Sequence, residues 1–365
     1  MSTKMNVPQL RFREFSGEWE EKLLSMVCRL KAGKFVRANE ISEIKETHVF
    51  PCYGGNGLRG YTKTHTHDGS YSLIGRQGAL CGNVQFANGK FHATEHAIVV
   101  TPAEENDSLW LYYQLNKLNL NRYATGQAQP GLSIEVIEKV KAWFPSKPEQ
   151  QKIASFLSSV DSKIEQLSKK KTLLEAYKKG VMQKIFSQEI RFREDDGGEY
   201  GEWVERKISN ILKIGSGKDY KNLDEGNIPV YGTGGYMTSV NNYLYDGKSV
   251  CIGRKGTINK PMLISGKFWT VDTLFYTHQF NNISPEYFYY LSLTINWLKY
   301  NEGTTLPSLS KKTIESIKVK IPKSLNEQTK IANFLSSIDS KIEQVSRELE
   351  STKQFKKALL QKMFV

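Results

Sequence analysis

The sequence predicts an α+β chain in which two mixed α/β domains are separated by a coiled coil of two long helices. Two observations carry that reading. The first is an internal repeat at an offset of 178 residues, a signature that fixes architecture ahead of any local pattern. The second is a contrast within each repeat, where a glycine-punctuated, β-rich stretch precedes a segment whose apolar residues recur every seven positions.

The repeat is clearest in residues 149–186 against 327–364, which align without gaps and share 21 of 38 positions, where average composition would give about two or three. The same offset superposes Pro51-Cys52-Tyr53-Gly54 on Pro229-Val230-Tyr231-Gly232, and Ile74-Gly75-Arg76-Gln77-Gly78 on Ile252-Gly253-Arg254-Lys255-Gly256. One residue less places the Gly126 to Ser133 stretch on the Gly303 to Ser310 stretch. Near each start, Arg11-Phe12-Arg13-Glu14 recurs as Arg191-Phe192-Arg193-Glu194, and Gly17-Glu18-Trp19 as Gly201-Glu202-Trp203.

In the first repeated segment Ile153, Val160, Leu167, Leu174 and Val181 form a row seven residues apart, beside Leu157, Ile164 and Ile185. Its copy offers Ile331, Ile338, Val345 and Leu359 beside Leu335, Ile342, Leu349 and Met363. These are the seams of two helices that need a partner, and each is the other's obvious one. Gly180 is the one glycine inside either segment, so each is expected as a single helix of about 57 Å. Lys171, Lys178 and Lys356 interrupt the seam, where they could set register or simply snorkel.

Between the helical segments, residues 71–74, 96–100 and 249–252 read as strands bounded by glycine-rich turns. Short amphipathic helices are expected at 108–118 and 285–299, where Trp110, Tyr112 and Tyr113 match Tyr287, Tyr289 and Tyr290. Core packing is the expected role of those aromatics.

At 365 residues and 24% charged the chain suits two or three domains, and a net charge of +13 favours a polyanionic partner. No apolar run reaches membrane length and the start is polar, so a soluble cytoplasmic protein is expected. The widely spaced Cys28, Cys52, Cys81 and Cys251 suit reduced thiols better than bridges or a zinc site.

Familiar catalytic patterns fail one by one. Gly33-Lys34 and Gly217-Lys218 lack the upstream glycine of a P-loop, and Phe35 or Asp219 stands where Ser or Thr would hold magnesium. Gly55, Gly57 and Gly60 have dinucleotide-fingerprint spacing, but no helix is expected after them and the second copy lacks the pattern. His65 and His67 read as a surface loop, and His92 and His96 as a strand entry, rather than as metal ligands. Ser284-Pro285-Glu286-Tyr287 lacks the second proline of an amino-methyltransferase loop. Glu43-Ile44-Lys45 has no upstream Pro-Asp of a nuclease and reads as solvated helix charge.

With Glu149-Gln150, Lys152-Ile153-Ala154 and Asp161-Ser162-Lys163-Ile164-Glu165 all repeated 178 residues later, the chain resembles the specificity subunit of Type I restriction-modification systems (the HsdS family) over essentially its whole length. The resemblance implies target-recognition domains at 1–148 and 187–326 and conserved spacer helices at 149–186 and 327–365. It further implies a pseudo-twofold arrangement with the helices as an antiparallel pair. Such a subunit catalyses nothing. It binds a bipartite DNA target and joins two modification subunits that methylate adenine with S-adenosylmethionine, and two restriction subunits that use ATP and Mg. The helices would hold the recognition domains about one DNA turn, ~34–36 Å, apart. Rival readings are a free-standing two-site DNA-binding regulator and a coiled-coil scaffold that does not touch DNA.

Residues shared by the repeats suit a shared task and those that differ suit reading different half-sites. Arg76, Arg254, Lys34 and Lys218 are therefore expected at phosphates or in the scaffold, as are Lys255, Lys311 and Lys312 at phosphates. The dissimilar polar runs 56–68 and 233–242 offer Asn56, Arg59 and Lys63 on one side and Thr233, Ser239 and Asn241 on the other. Gln127 and Gln129 face Thr304 and Thr305 as a second set. Arginine can pair guanine and asparagine can pair adenine.

Overall fold

The computed structural model describes residues 6–126 and 130–365. The chain divides into two compact units, Met1–Ser168 with Arg347–Val365, and Lys169–Ser346. Each unit thus combines one globular part with a portion of both long helices, Lys147–Phe186 and Leu325–Lys362.

Both long helices begin on the same device. Glu149 and Glu327 sit in the first turn, where a carboxylate is favoured by the helix dipole, yet both are 1% exposed. A buried charge demands a partner. Arg11 donates from Nε and Nη2 to the two oxygens of Glu149, each at 2.7 Å, and Trp19 Nε1 donates to the same carboxylate at 3.4 Å. In the second unit Arg191 donates to Glu327 at 3.0 and 3.1 Å and Trp203 Nε1 at 3.0 Å. The adjoining glutamine is equally committed: Gln150 Oε1 accepts from Asp107 N, and Gln328 Oε1 from Ser284 N, both at 2.9 Å. The recurring Arg-Phe-Arg-Glu, Gly-Glu-Trp and Glu-Gln motifs are therefore one knot tied twice.

Within each unit the two helices run antiparallel. In the first, Lys163 pairs with Glu348 at 2.9 Å and Lys356 with Asp161 at 2.5 Å; in the second, Lys178 pairs with Asp339 at 2.5 Å. The last two pairs are related by the 178-residue offset. Each aspartate also accepts from a tyrosine of the neighbouring short helix, Tyr113 at 2.7 Å and Tyr290 at 2.8 Å. The lysine ammonium lies over the same ring, 5.5 Å from Tyr113 and 5.3 Å from Tyr290. Lys178 and Lys356 consequently fix register rather than merely reaching for solvent, whereas Lys171 pairs with Glu175 along its own helix. Ile164, Leu174 and Ile342 are half-buried and the other predicted seam residues are buried.

In the first unit a six-stranded sheet has the spatial order Cys28–Ala32, Ala97–Pro102, His67–Gly75, Val84–Ala93, Phe50–Gly54, Gly57–Thr62. All pairings are antiparallel except Phe50–Gly54 with Val84–Ala93. The second unit repeats the order in two four-stranded sheets. One contains Lys213–Ser216, Leu274–His278, Ser249–Gly253 and Met262–Ile264; the other contains Gly235–Val240, Glu225–Gly232, Lys267–Thr270 and Tyr245–Asp246.

Helices Ser108–Lys117 and Pro285–Thr294 are capped by Asp107 and Ser284. Their aromatics are core: Trp110 stacks on Phe364 at 5.9 Å, and Tyr287 packs on Phe186 at 5.7 Å. Each fully buried ring contributes roughly 1.5–3 kcal/mol of transfer free energy, offset in part by the unpartnered Trp110 Nε1 and Tyr287 hydroxyl.

Several local expectations are corrected. The polar runs 56–68 and 233–242 contain the strands Gly57–Thr62 and Gly235–Val240, and His67, read as part of a surface loop, begins a strand. The Gly55, Gly57, Gly60 spacing serves that tight hairpin. Residues 43–45 form no helix. The helix expected at 285–299 ends at Thr294, and a 3-10 turn occupies Trp297–Tyr300. The four cysteines are free and buried, with the Cys28 and Cys251 thiols pushed up to about 12 by burial.

Replacing Arg11 by alanine strands the Glu149 carboxylate in a dry site and should cost about 3–5 kcal/mol in chemical denaturation. Arg11→Lys should recover only part of this, since an ammonium lacks the planar fork that meets both oxygens. An unfolding midpoint unchanged by Arg11→Ala would show that the knot contributes nothing.

Candidate nucleic-acid interface

The remaining repeated motifs converge in space. In the first unit Gly78 N donates to Pro130 O and Leu132 N to Arg76 O, both at 2.9 Å. In the second, Gly256 N donates to Pro307 O at 2.8 Å and Leu309 N to Arg254 O at 2.9 Å. The Ile-Gly-Arg-x-Gly turn and the Gly-x-x-x-Pro-x-Leu-Ser loop are thus the two jaws of one backbone clamp. Gly78 and Gly256 have φ of +87° and +83°, a left-handed conformation in which a Cβ is strained. Reciprocal bonds of 2.8 Å between Thr125 and Gly131 close the first loop, and Glu302 N donates to Ser308 O at 2.9 Å to close the second. Ser133 and Ser310 then cap the short helices that follow.

The tip of a β-hairpin lies against each clamp. In the first unit Gly55 lies against the backbone of Arg76, Gln77 and His96, beside an open groove of 490 Å³ lined by Asn56, Leu58, Arg59, Gln77 and His96. In the second, Thr233 at the hairpin tip lies against Gly256.

The candidates therefore separate into groups. Asn56, Arg59 and the Arg76 turn are brought together, as are Thr233, Arg254 and Lys255, with exposed Thr304 and Thr305 on the second jaw. Arg76 and Arg254 are partly engaged by their own units. Arg76 lies near Glu135, whose carboxyl is held below its usual range first by Ser133 and also by that guanidinium. Arg254 donates to Asp272 O at 3.3 Å and lies over Phe275.

Lys34 and Lys63 belong to a different patch. His92 Nε2 donates to Lys34 O at 3.1 Å, leaving Nδ1 to accept from Thr64, next to Lys63, at 3.4 Å. Lys218 is tied through its backbone, its N–H donating to Thr270 O at 2.9 Å and its carbonyl accepting from Trp269 Nε1 at 2.8 Å. Asn241 donates to Asp224 at 3.1 Å, and Ser239 shares a hydrogen bond of 3.1 Å with the Tyr236 hydroxyl. Lys311 and Lys312 are exposed in the first turn of Lys311–Ser316, with Lys311 near Glu315. Gln127 and Gln129 lie outside the described residues.

The expectations missed the exposed apolar residues of these hairpins, Leu58, Tyr236 and Met237. The available signal was their position directly after the turn glycines Gly57 and Gly235. Among the described residues, no cluster of His, Cys, Asp and Glu is placed to hold a metal, and no helix is long and apolar enough to cross a membrane.

Two units that carry unlike polar hairpins and loops on one repeated backbone clamp define a two-site recognition protein. The Type I restriction modification DNA specificity domain is matched twice, at residues 16–176 and 200–352, and the chain belongs to that family. The specificity subunit of the Type I restriction enzyme EcoprrI from Escherichia coli is 44% identical over 154 residues, 42% of this chain and 38% of that subunit's own length. The MjaVIII specificity subunit from Methanocaldococcus jannaschii is 25% identical over 298 residues, 70% of this chain and 68% of that one. The crystal structure of a Type I restriction-modification S subunit from M. genitalium shares the fold at a TM-score of 0.76 and 22% identity, over 98% of this chain and 99% of that chain.

Because a Cβ at Gly78 would meet nothing within 4 Å, Gly78→Ala isolates the backbone requirement and should cost about 1–2 kcal/mol in thermal or chemical unfolding. Asn, which tolerates the left-handed region, should cost less. Equal stability of wild type and Gly78→Ala would remove the reason for that glycine in the clamp.

Proposed function

We propose that each unit reads one half of a bipartite double-stranded DNA target, and that the paired helices set the spacing between the halves. The observation that carries this reading is the clamp built twice from the same motifs, which presents Asn56 and Arg59 in one unit and Thr233 in the other. A shared scaffold with unlike side chains suits a target whose halves differ. Arginine at 59 has the geometry for guanine, and asparagine at 56 that for adenine. Arg254, Lys255, Lys311 and Lys312 supply cations for phosphates in the second unit, as does Lys218, while Lys34 and Lys63 do so in the first.

The chain itself catalyses nothing in this reading. It assembles with two adenine-methylating modification subunits that use S-adenosylmethionine, and with two restriction subunits that use ATP and Mg, in the cytoplasm. The modification subunits dock on the long helices and the adjoining surfaces of the units.

Exchange of residues 1–148 for the corresponding region of a relative should change one half of the target, read by methylation-aware sequencing of cells that carry the whole complex. A change in both halves would sink the modular reading, and a complex that binds DNA without sequence preference would favour a scaffold. Inserting four residues in each long helix adds about 6 Å and should lengthen the spacer by about two base pairs or prevent assembly. An unchanged spacer in an assembled complex would refute the role of the helices as a ruler.

A further inference from the structure

The second unit's hairpin has an unusual charge pattern. Residues 226–245 contain no Asp, Glu, Lys, Arg or His, although 24% of the chain is charged and about five charges would be ordinary there. The corresponding residues 48–67 carry Arg59, Lys63 and three histidines. The uncharged stretch is not buried for that reason, because Tyr236 is 63% and Met237 52% exposed. They lie at the start of Gly235–Val240, directly after the hairpin turn, at the positions Leu58 and Arg59 hold in the first unit. Their presentation is also structured. Tyr236 packs edge-on against Tyr231 with centroids 6.3 Å apart and engages Ser239 through its hydroxyl. Met237 Sδ lies 2.6 Å from where a Cβ of Gly232 would stand, so a side chain at 232 would displace it.

A hairpin without cations on a protein of charge +13 lacks the Lys and Arg groups that dominate attraction to phosphates, and the exposed Tyr236 ring and Met237 thioether offer phosphates no charge. It suits base edges, and the apolar group in the major groove is the C5-methyl of thymine. We propose that Tyr236 and Met237 make an apolar contact with a thymine C5-methyl group in the half-site addressed by the second unit. Specificity at that position then comes from methyl burial, in contrast to the cationic reading at Arg59. The inference rests on the DNA-recognition reading given above.

The test uses the full chain assembled with its modification subunits and a duplex bearing its own bipartite target, as defined by sequencing. Each thymine of the second half-site, on either strand, is replaced singly by deoxyuridine. One or two replacements should weaken binding about fourfold, the worth of one buried methyl group. Tyr236→Ala combined with Met237→Ala should abolish that response and leave mismatch discrimination in the other half-site intact, whereas Tyr236→Phe with Met237→Leu should retain it.

Selective binding that is indifferent to every deoxyuridine overturns the contact alone, whatever the variants do. A double alanine variant that still distinguishes thymine from uracil also overturns it. Loss of assembly with the modification subunits in that variant would assign the patch to a protein contact and overturn the proposal equally. Absence of preference for the target over a scrambled duplex in the wild type would instead count against DNA recognition itself.

Discussion

A carboxylate buried at the first turn of each long helix is the constraint on which the rest depends. Glu149 and Glu327 are stable in the interior because an arginine and a tryptophan from the start of the same unit reach them. An unpaired charge there would cost several kcal/mol, so each helix is completed only when its own N-terminal segment is in place. The neighbouring Gln150 and Gln328 extend the same constraint to the loops before the short aromatic helices. Helix, entry segment and globular part are thereby joined at a single point in each unit.

A second polar contact operates along the helices. A seam made only of aliphatic side chains tolerates slippage by a heptad, whereas a lysine that must meet one aspartate does not. Asp161 and Asp339 each hold a lysine of the facing helix and a tyrosine of the globular part. Register between the helices is thus coupled to the position of the short helix in each unit. Partial exposure keeps the energy of such pairs modest, so their value lies in selecting one alignment.

The sequence made the larger architecture readable because its signals were periodic or duplicated. The seam residues, the long helices and the aromatic cores follow from spacing alone, and the identity of the repeated motifs marked where a common task lay. What those motifs do was not readable. Arg11 and Glu149 are 138 positions apart, and the Arg76 turn meets the loop before Leu132 across more than fifty residues of chain. Neither pairing leaves a trace in local composition. The strands inside 56–68 and 233–242 were obscured by glycine and polar residues, which mark turns in general but here build tight hairpins.

By itself, then, the sequence determined that there are two copies of one plan, each an apolar-seamed helix joined to a β-rich globule, because helical periodicity and internal identity are properties of the chain read in order. The tertiary structure decided which side chains face outward. It gave Arg76 and Arg254 partners within their own units, set the Lys34 carbonyl and the Thr64 hydroxyl on His92, and left Tyr236 and Met237 exposed beside the hairpin turn. Exposure and partnership arise from the meeting of segments distant in sequence, and burial energy is settled only when those segments are packed.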